Sequence, residues 1–283
     1  MSVKLIQDKR DSYHGKSNIE EEHAIREITQ EVVLAALGRT EFFKYALFQG
    51  GTCLRIFYGL QRFSEDMDFL LGQADRDFQL QPHLHAVSEE LKAYGYEVEI
   101  ADRSQADGAV RKAFLKDDSL GKILQLKYAN RSGPARKIRV RLEVDAQPPS
   151  GSGGEIKYVD FPFVSAVAVQ DRPSLFAGKL HALLCREYVK GRDWYDFLWY
   201  TSQKVGVNYA FLSSALNQQG PWRHQEVQAD GPWCLAHLED RINSIDWAAA
   251  REDVRRFVKG TEYPSLDLWS RDLFLFQLRK IKG

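Results

Sequence analysis

The stretch FQGGTCLRIFYGLQRFSEDMDFLL, residues 48–71, decides the fold of this 283-residue chain. An apolar run ends in Gly50 and Gly51, a helical pattern follows at once, and a second apolar run carries Asp66 and Asp68. Glycine allows a ligand to approach the backbone closely because it has no Cβ, and the first N–H groups of a helix attract phosphate. This order of strand, glycine pair, helix and strand predicts a phosphate site.

The two aspartates predict a metal site beside the glycines. Side chains two positions apart on a strand project from the same face, so Asp66 and Asp68 can bind one ion together. Mg²⁺ usually binds one or two carboxylates together with waters and substrate phosphates. A strand at residues 138–145 offers a third acid, either Glu143 or Asp145, and the residues alone leave that choice open.

The charge balance restricts how this chain can contact nucleic acid. Lys and Arg together number 39, and so do Asp and Glu, which gives a formal net charge of zero. Hydrophobic residues make up 44% of the chain, which is typical of a globular protein. Proteins that coat nucleic acid without specificity are usually strongly basic. Any contact with a nucleic-acid backbone is therefore expected from a local patch, formed by Arg131, Arg136, Lys137, Arg139 and Arg141.

Cysteine usage and hydropathy indicate a cytoplasmic protein. Cys53, Cys185 and Cys234 are widely separated and lack metal-binding spacing, which favours a reducing compartment. The charged first thirty residues do not resemble a signal peptide, and we expect no membrane partner.

The periodicity predicts an α+β chain in three parts: a polar tail at 1–16, a sheet domain at 17–155 and a mainly helical domain at 156–283. A helix is predicted from Ser17 or Asn18 to Gly38. Further helices are predicted at 52–58, 77–94, 175–188, 194–200 and 266–281, and strands at 42–48, 67–71, 96–100, 123–128 and 138–145.

The glycine pair and the Asp-x-Asp strand resemble the nucleotidyltransferase superfamily. GGTCLRIFYGLQRFSEDMDF is more closely similar to the AbiEii/AbiGii toxin family, the toxin half of type IV toxin–antitoxin and phage-defence pairs. Residues 52–65 separate the glycines from Asp66, a longer gap than in the general superfamily pattern. A second stretch, LFAGKLHALLCREYVKGRDWYDF at 175–197, resembles the family's later motif, a helix with a lysine followed by an Arg-Asp pair.

The resemblance implies a DNA polymerase beta-like nucleotidyltransferase domain, with a helical C-terminal domain completing the cleft. It implies a Mg²⁺-dependent enzyme that transfers a nucleoside monophosphate from an NTP to an acceptor hydroxyl. The acceptor would be the 3′ end of an RNA, such as tRNA, and a cognate antitoxin protein would neutralise the toxin.

The same resemblance implies roles for individual residues. Lys179 would bind the triphosphate and Asp193 would be a functional acid, supported by Arg192 and Asp196. The context Val140-Arg141-Leu142-Glu143 favours Glu143 as the third metal ligand. Candidate nucleotide contacts nearer the glycines are Gly50, Gly51, Thr52 and Arg55.

Simpler readings compete with several of these assignments. Arg55 can pair with an acid instead of phosphate, Lys179 can extend from an apolar helix to solvent, and Asp196 fits an ordinary helix surface. The aromatic residues between 194 and 200 are expected to pack in a core. Alternative functions are transfer to a protein or small-molecule hydroxyl, or a non-catalytic module that binds GTP or an antitoxin.

Overall fold

The computed structural model describes residues 2–13, 17–102, 119–130 and 133–281, and between 101 and 137 it describes the side chain of Leu124 alone. The chain forms two compact units. The sheet unit comprises Met1–Tyr58, Phe63–Pro148 and Glu155–Val169. The helical unit comprises Gly59–Arg62, Pro149–Gly154 and Gln170–Gly283.

Within the described residues, the sheet unit combines five helices with one mixed sheet. The helices are α1 (Ser2–Asp11), α2 (Asn18–Gly38), α3 (Phe42–Tyr45), α4 (Gly50–Tyr58) and α5 (Gln81–Ala93). The strands are β1 (Ala46–Gln49), β2 (Asp66–Leu71), β3 (Glu97–Asp102), β4 (Ser119–Asn130), β5 (Gly133–Asp145), β6 (Gly154–Val159) and β7 (Ser165–Gln170).

The strand order places β2, the strand with both motif aspartates, in the middle of the sheet. The order is β3-β4-β5-β2-β1-β7-β6. Strand β2 runs antiparallel to β1 and parallel to β5. This mixed sheet with its helices confirms the predicted α+β class.

The alternation of apolar and polar residues explains why the end of β5 is a strand. One set of side chains is at most 2% exposed, and it consists of Ile138, Val140, Leu142 and Val144. Arg139 between them is exposed. The two predicted faces of this strand are confirmed, and the apolar face belongs to the core.

Helix α2 begins and ends as predicted. The Ser17 side chain accepts a hydrogen bond from the Glu20 backbone N–H at 3.2 Å, and acidic residues in the first turn suit the helix dipole. At its end, a Cβ on Gly38 would lie 2.0 Å from the Ser165 hydroxyl oxygen. Glycine therefore allows α2 to approach β7 closely.

Some predicted bounds differ from the structure. Residues 1–16 were predicted as a tail but include α1, where Ile6 is buried and Lys9 lies 3.2 Å from Glu31 of α2. The predicted strand at 42–48 divides into α3 and β1, because a short apolar run does not distinguish a helix from a strand. Residues 155–169 belong to the sheet unit, since β6 and β7 join the sheet.

The helical unit is built from α6 (Arg172–Cys185), α7 (Gly191–Ser202), α8 (Tyr209–Gln218), α9 (Gly231–Asn243), α10 (Trp247–Arg255), a 3-10 turn (Gly260–Glu262), α11 (Tyr263–Asp267) and α12 (Arg271–Leu278). The predicted helix at 266–281 is divided between α11 and α12, because the Ser270 side chain caps α12. Trp194, Phe197 and Tyr200 of α7 are buried, as expected for core residues. No described helix is both long and apolar enough to cross a bilayer.

Candidate active site

Gly50 forms the turn between β1 and α4 and has to be glycine for two reasons. Its φ angle is +78°, a conformation that other residues adopt at a cost. A Cβ at this position would also lie 2.8 Å from Oδ2 of Asp68. Gly50 thus allows the start of α4 to lie directly against a motif carboxylate.

Asp66 and Asp68 occupy the same face of β2. Both are half-buried, whereas Met67 and Phe69 between and after them are in the core. Asp68 is paired with Gln49 of β1 on one side and with Glu143 of β5 on the other. The structure therefore groups Asp68, the Gly50 turn and one of the two candidate third acids.

The register between β2 and β5 separates Glu143 from Asp145. Glu143 is the partner of Asp68, whereas Asp145 is the partner of Leu70, two positions further along the strand. Asp145 is only 7% exposed, and its Oδ1 accepts a hydrogen bond from the Gln147 N–H at 3.1 Å. The geometry favours Glu143 as the third acid, while its role as a metal ligand stays a prediction.

The acids fit a metal that also needs ligands from a substrate. Among the described residues, no three His, Cys, Asp or Glu side chains are grouped closely enough to hold a metal ion by themselves. Asp66 lies 3.8 Å from the guanidinium of Arg141, its register partner on β5. Two carboxylates on one face, completed by waters and phosphate oxygens, match the usual Mg²⁺ site.

The start of α4 offers backbone rather than side-chain contacts to a ligand. The first N–H groups of a helix have no acceptor within the helix, and here they follow the Gly50 turn. The Thr52 side chain is fully buried, and its hydroxyl donates a hydrogen bond to the Asp66 carbonyl. The hydroxyl of Thr52 therefore stabilises β2, while the contact of its N–H with phosphate stays a prediction.

Arg55 is paired with an acid of another helix. Its Nε donates to Oε2 of Glu27 at 2.8 Å, and both side chains are about nine-tenths buried. The guanidinium also lies over the Phe63 ring, 4.6 Å from the ring centroid. These contacts give Arg55 a structural role, and its predicted contact with nucleotide remains untested by the geometry.

The helical unit brings together Lys179 of α6 and Asp193 of α7. Lys179 Nζ lies 2.6 Å from Oδ1 of Asp193, and Arg186 lies 3.3 Å from Oδ2 of the same carboxylate. Burial by itself would raise the pKa of Asp193, but Lys179 and Arg186 outweigh it and hold this pKa well below its usual range. The lysine and the aspartate from the second motif form one charged network.

Asp196 was expected on a helix surface, and the structure corrects this. Its side chain is 0% exposed, and its two oxygens each accept a 2.6 Å hydrogen bond from the guanidinium of Arg62. Lys179 lies 2.8 Å from Oδ2 of Asp196. One sequence feature could have predicted this burial. Asp196 lies three residues after Asp193, so the two share a helix face, and the apolar residues of α7 on that face are buried.

Burial beside this network lowers the pKa of a lysine that the sequence analysis did not single out. Burial lowers the pKa of Lys190 to about 8; Asp193 opposes this effect, and Arg192 and Arg186 strengthen it. Burial would also lower the pKa of Lys179, but Asp193 and Asp196 outweigh it and raise that pKa. Lys179 therefore stays charged, whereas Lys190 loses its proton at mildly alkaline pH.

The basic patch is only partly described. Arg139 is exposed on β5, and Arg141 on the same face lies beside Asp66. Arg131 and the side chains of Arg136 and Lys137 lie outside the described part of the chain. The described portion thus places two arginines on the strand next to the motif acids.

Two solved structures from Helicobacter pylori are similar to this chain along most of its length. A protein of Helicobacter pylori provisionally assigned as a nucleotidyltransferase has a TM-score of 0.48 and 16% identity, over 91% of this chain and 96% of that chain. JHP933 from Helicobacter pylori has the same TM-score and identity over 90% of this chain and 88% of that chain. No curated protein sequence matches the chain.

The sequence model of one family covers most of the chain. The model for the nucleotidyl transferase AbiEii toxin of type IV toxin–antitoxin systems matches residues 32–274, which include both motifs. The chain therefore belongs to the AbiEii family of nucleotidyl transferase toxins.

Proposed function

We propose that this toxin transfers a nucleoside monophosphate from an NTP to the 3′ hydroxyl of an RNA, with tRNA as the acceptor and Mg²⁺ as cofactor. The observation that carries the proposal is the grouping of Asp68 with Gly50 and Glu143 on the sheet. Family membership supports the transferase chemistry and an antitoxin partner. The RNA acceptor and the Mg²⁺ cofactor are carried over from the resemblance to the toxin family, and the charges around β2 support them.

Asp66 and Asp68 would hold the metal, with Glu143 as the third acid. When bound, Mg²⁺ would neutralise phosphate charge and favour in-line attack at the α-phosphate. The positive φ of Gly50 turns the chain so that the N–H groups at the start of α4, from Gly51 and Thr52, can bind triphosphate oxygens. These roles require only backbone and carboxylate groups on the described part of the sheet unit.

For Lys179 we propose a contact with the triphosphate that stabilises the charge of departing pyrophosphate. An ammonium group has three N–H donors, and Asp193 and Asp196 lie within hydrogen-bond distance of it at 2.6 and 2.8 Å. The carboxylates hold the lysine in one place and keep it protonated. Asp193 would thus be a functional acid through its effect on Lys179.

The RNA acceptor is proposed from β5. With a net charge of zero, the chain has no general attraction for RNA, so binding requires local cations. Exposed Arg139 and half-buried Arg141 lie on the strand that carries Glu143. Arginine at this place could bind the phosphates of an acceptor strand near the reacting groups.

The test is label transfer from each α-labelled NTP to total RNA in the presence of Mg²⁺. We expect label in a tRNA-sized band, a loss of at least about a hundredfold in Asp66→Ala, and full activity in Asp77→Ala, an exposed acid of the same unit. Label entering protein or a small molecule would instead identify a different acceptor. Tight nucleotide binding without turnover on any acceptor would favour the non-catalytic module.

A further inference from the structure

Three successive backbone carbonyls lead into the motif strand, and each accepts a hydrogen bond from a buried side chain. Gln30 of α2 donates through Nε2 to the carbonyls of Ser64 and Glu65, at 3.2 and 3.1 Å. The Thr52 hydroxyl of α4 donates to the next carbonyl, that of Asp66. Donors from two different helices therefore hold one short segment that ends at the first metal-ligand candidate.

The strand pairing explains why this segment needs side-chain donors. The pairing of β1 with β2 ends where Gln49 meets Asp68, and the chain then turns into α4 at Gly50. Asp66 lies two residues beyond this last pair, so on that side β1 does not extend far enough to pair with it. A helix side chain takes the place of a strand neighbour, because a buried carbonyl without a donor is costly.

Burial shows that the two donors have little freedom. Gln30 is 1% exposed and Thr52 is 0% exposed. A buried amide or hydroxyl is tolerated only when hydrogen-bonded, so the two side chains and the three carbonyls satisfy one another. A change in either donor would let the peptide planes at residues 64–66 rotate.

Other contacts hold the remaining side chains of the segment. Arg26 of α2 lies 2.7 Å from the carboxylate of Glu65. The Phe63 ring stacks on His23 with centroids 4.5 Å apart, and the Arg55 guanidinium lies over the same ring. The segment at residues 63–65, which leads into β2, is thus held by contacts to both its backbone and its side chains. Loops usually have fewer such contacts and are more mobile.

We propose that Gln30 and Thr52 are positioning residues that fix the direction of the Asp66 carboxylate by holding the carbonyls of residues 64–66. The inference rests on the proposed function, because it assumes that Asp66 binds the metal. Ligand groups must be held within a fraction of an ångström of the productive geometry. Neither residue needs to touch the substrate through its side chain for this role.

Thr52→Val and Thr52→Ser are the first variants, since valine has the shape of threonine without its hydroxyl and serine keeps the hydroxyl. Gln30→Met removes the amide donors while keeping the side-chain length. Thr29→Val is the matched control. Thr29 is equally buried in α2 but donates to the carbonyl of Ile25 and contacts Tyr96, away from residues 64–66.

Mn²⁺ affinity, followed by the electron paramagnetic resonance of free Mn²⁺, gives a readout independent of turnover. We expect Thr52→Val and Gln30→Met to weaken the Asp66-dependent Mn²⁺ site and to lower kcat about tenfold or more, with KM for NTP little changed. Thr52→Ser should restore most of the affinity. Thr29→Val should lower the melting temperature without changing Mn²⁺ affinity.

The outcomes separate this proposal from the proposed function. If wild-type protein binds Mn²⁺ through Asp66 and Thr52→Val binds it equally well, the positioning role is overturned while the metal site stands. If Asp66→Ala binds Mn²⁺ as well as wild type, the metal assignment fails, and the positioning role fails with it. A loss in Thr29→Val as large as in Thr52→Val would also overturn the proposal, because destabilisation alone would then explain it.

Discussion

Substitution of Asp196 by Asn should strongly destabilise the helical unit. The carboxylate is fully buried between Arg62, whose side chain is 4% exposed, and Lys179, whose side chain is 13% exposed. Removing one member of a buried ion pair leaves the other charge uncompensated and costs about 3–5 kcal/mol. We expect a loss within that range, because an asparagine amide can still accept one hydrogen bond but carries no charge.

The loss should depend on pH in a defined direction. Burial opposes ionisation of Asp196, but Arg62 and Lys179 outweigh it and hold the pKa below its ordinary value of 3.8. A lowered carboxyl pKa contributes stability that is fully present above the unfolded-state pKa and is lost as the pH falls through the folded-state value. The difference between wild type and Asp196→Asn should therefore be constant from about pH 5 to pH 8 and shrink below about pH 4.

Urea unfolding followed by tryptophan fluorescence measures this difference. Asp240→Asn, an exposed acid on α9 of the same unit, is the control and should change the free energy of unfolding by less than about 0.5 kcal/mol. Adding Arg62→Met to Asp196→Asn should cost less than the sum of the single changes, since the two residues are in contact. A loss in Asp196→Asn as small as in Asp240→Asn would refute the argument.

Three further predictions follow from the geometry. Glu143→Gln should lower nucleotide transfer about tenfold or more, whereas Asp145→Asn should lower stability more than activity; equal activity losses in a transfer assay would contradict the register argument. Gly50→Ala should nearly abolish transfer, because the new methyl group would lie 2.8 Å from the carboxylate of Asp68. Gly59→Ala is the control: its φ is also positive, at +76°, but the space around it is open, so it should lower the free energy of unfolding in urea by only about 1–2 kcal/mol. Lys190→Met should stabilise the protein by about 1–3 kcal/mol at pH 7. A lysine pKa lowered to about 8 penalises the charged folded state below that pH, and the gain should vanish above about pH 11 in unfolding measurements.

The motif around Asp66 was predictable because its chemistry is local. Residues two apart on a strand share a face, and a glycine before a helix frees the backbone, whatever surrounds them. The same holds for the start of α2, where Ser17 caps the helix within three residues. The contacts of Asp196 and Arg62 were not predictable in this way, since the two residues are 134 positions apart in the chain.

The division of roles among similar residues also depended on distant neighbours. The sequence allows Arg55 to face phosphate or to pair with an acid; the structure shows its pairing with Glu27 of α2, and its contact with nucleotide stays a prediction. Gln30 reads in the sequence as an ordinary helix residue. It acquires its importance only because residues 64 and 65 pass beside α2.

The amino-acid sequence by itself determined the α+β class, the glycine turn, the shared face of Asp66 and Asp68 and the family to which the chain belongs. Each of these depends on spacing within one element or on a motif carried by neighbouring residues. The tertiary structure decided that Glu143 rather than Asp145 lies beside Asp68 and that Asp196 is a buried partner of Arg62 and Lys179. Strand register and helix packing determine those contacts. They join residues that are far apart along the chain, and no repeating pattern in the sequence shows that such residues meet.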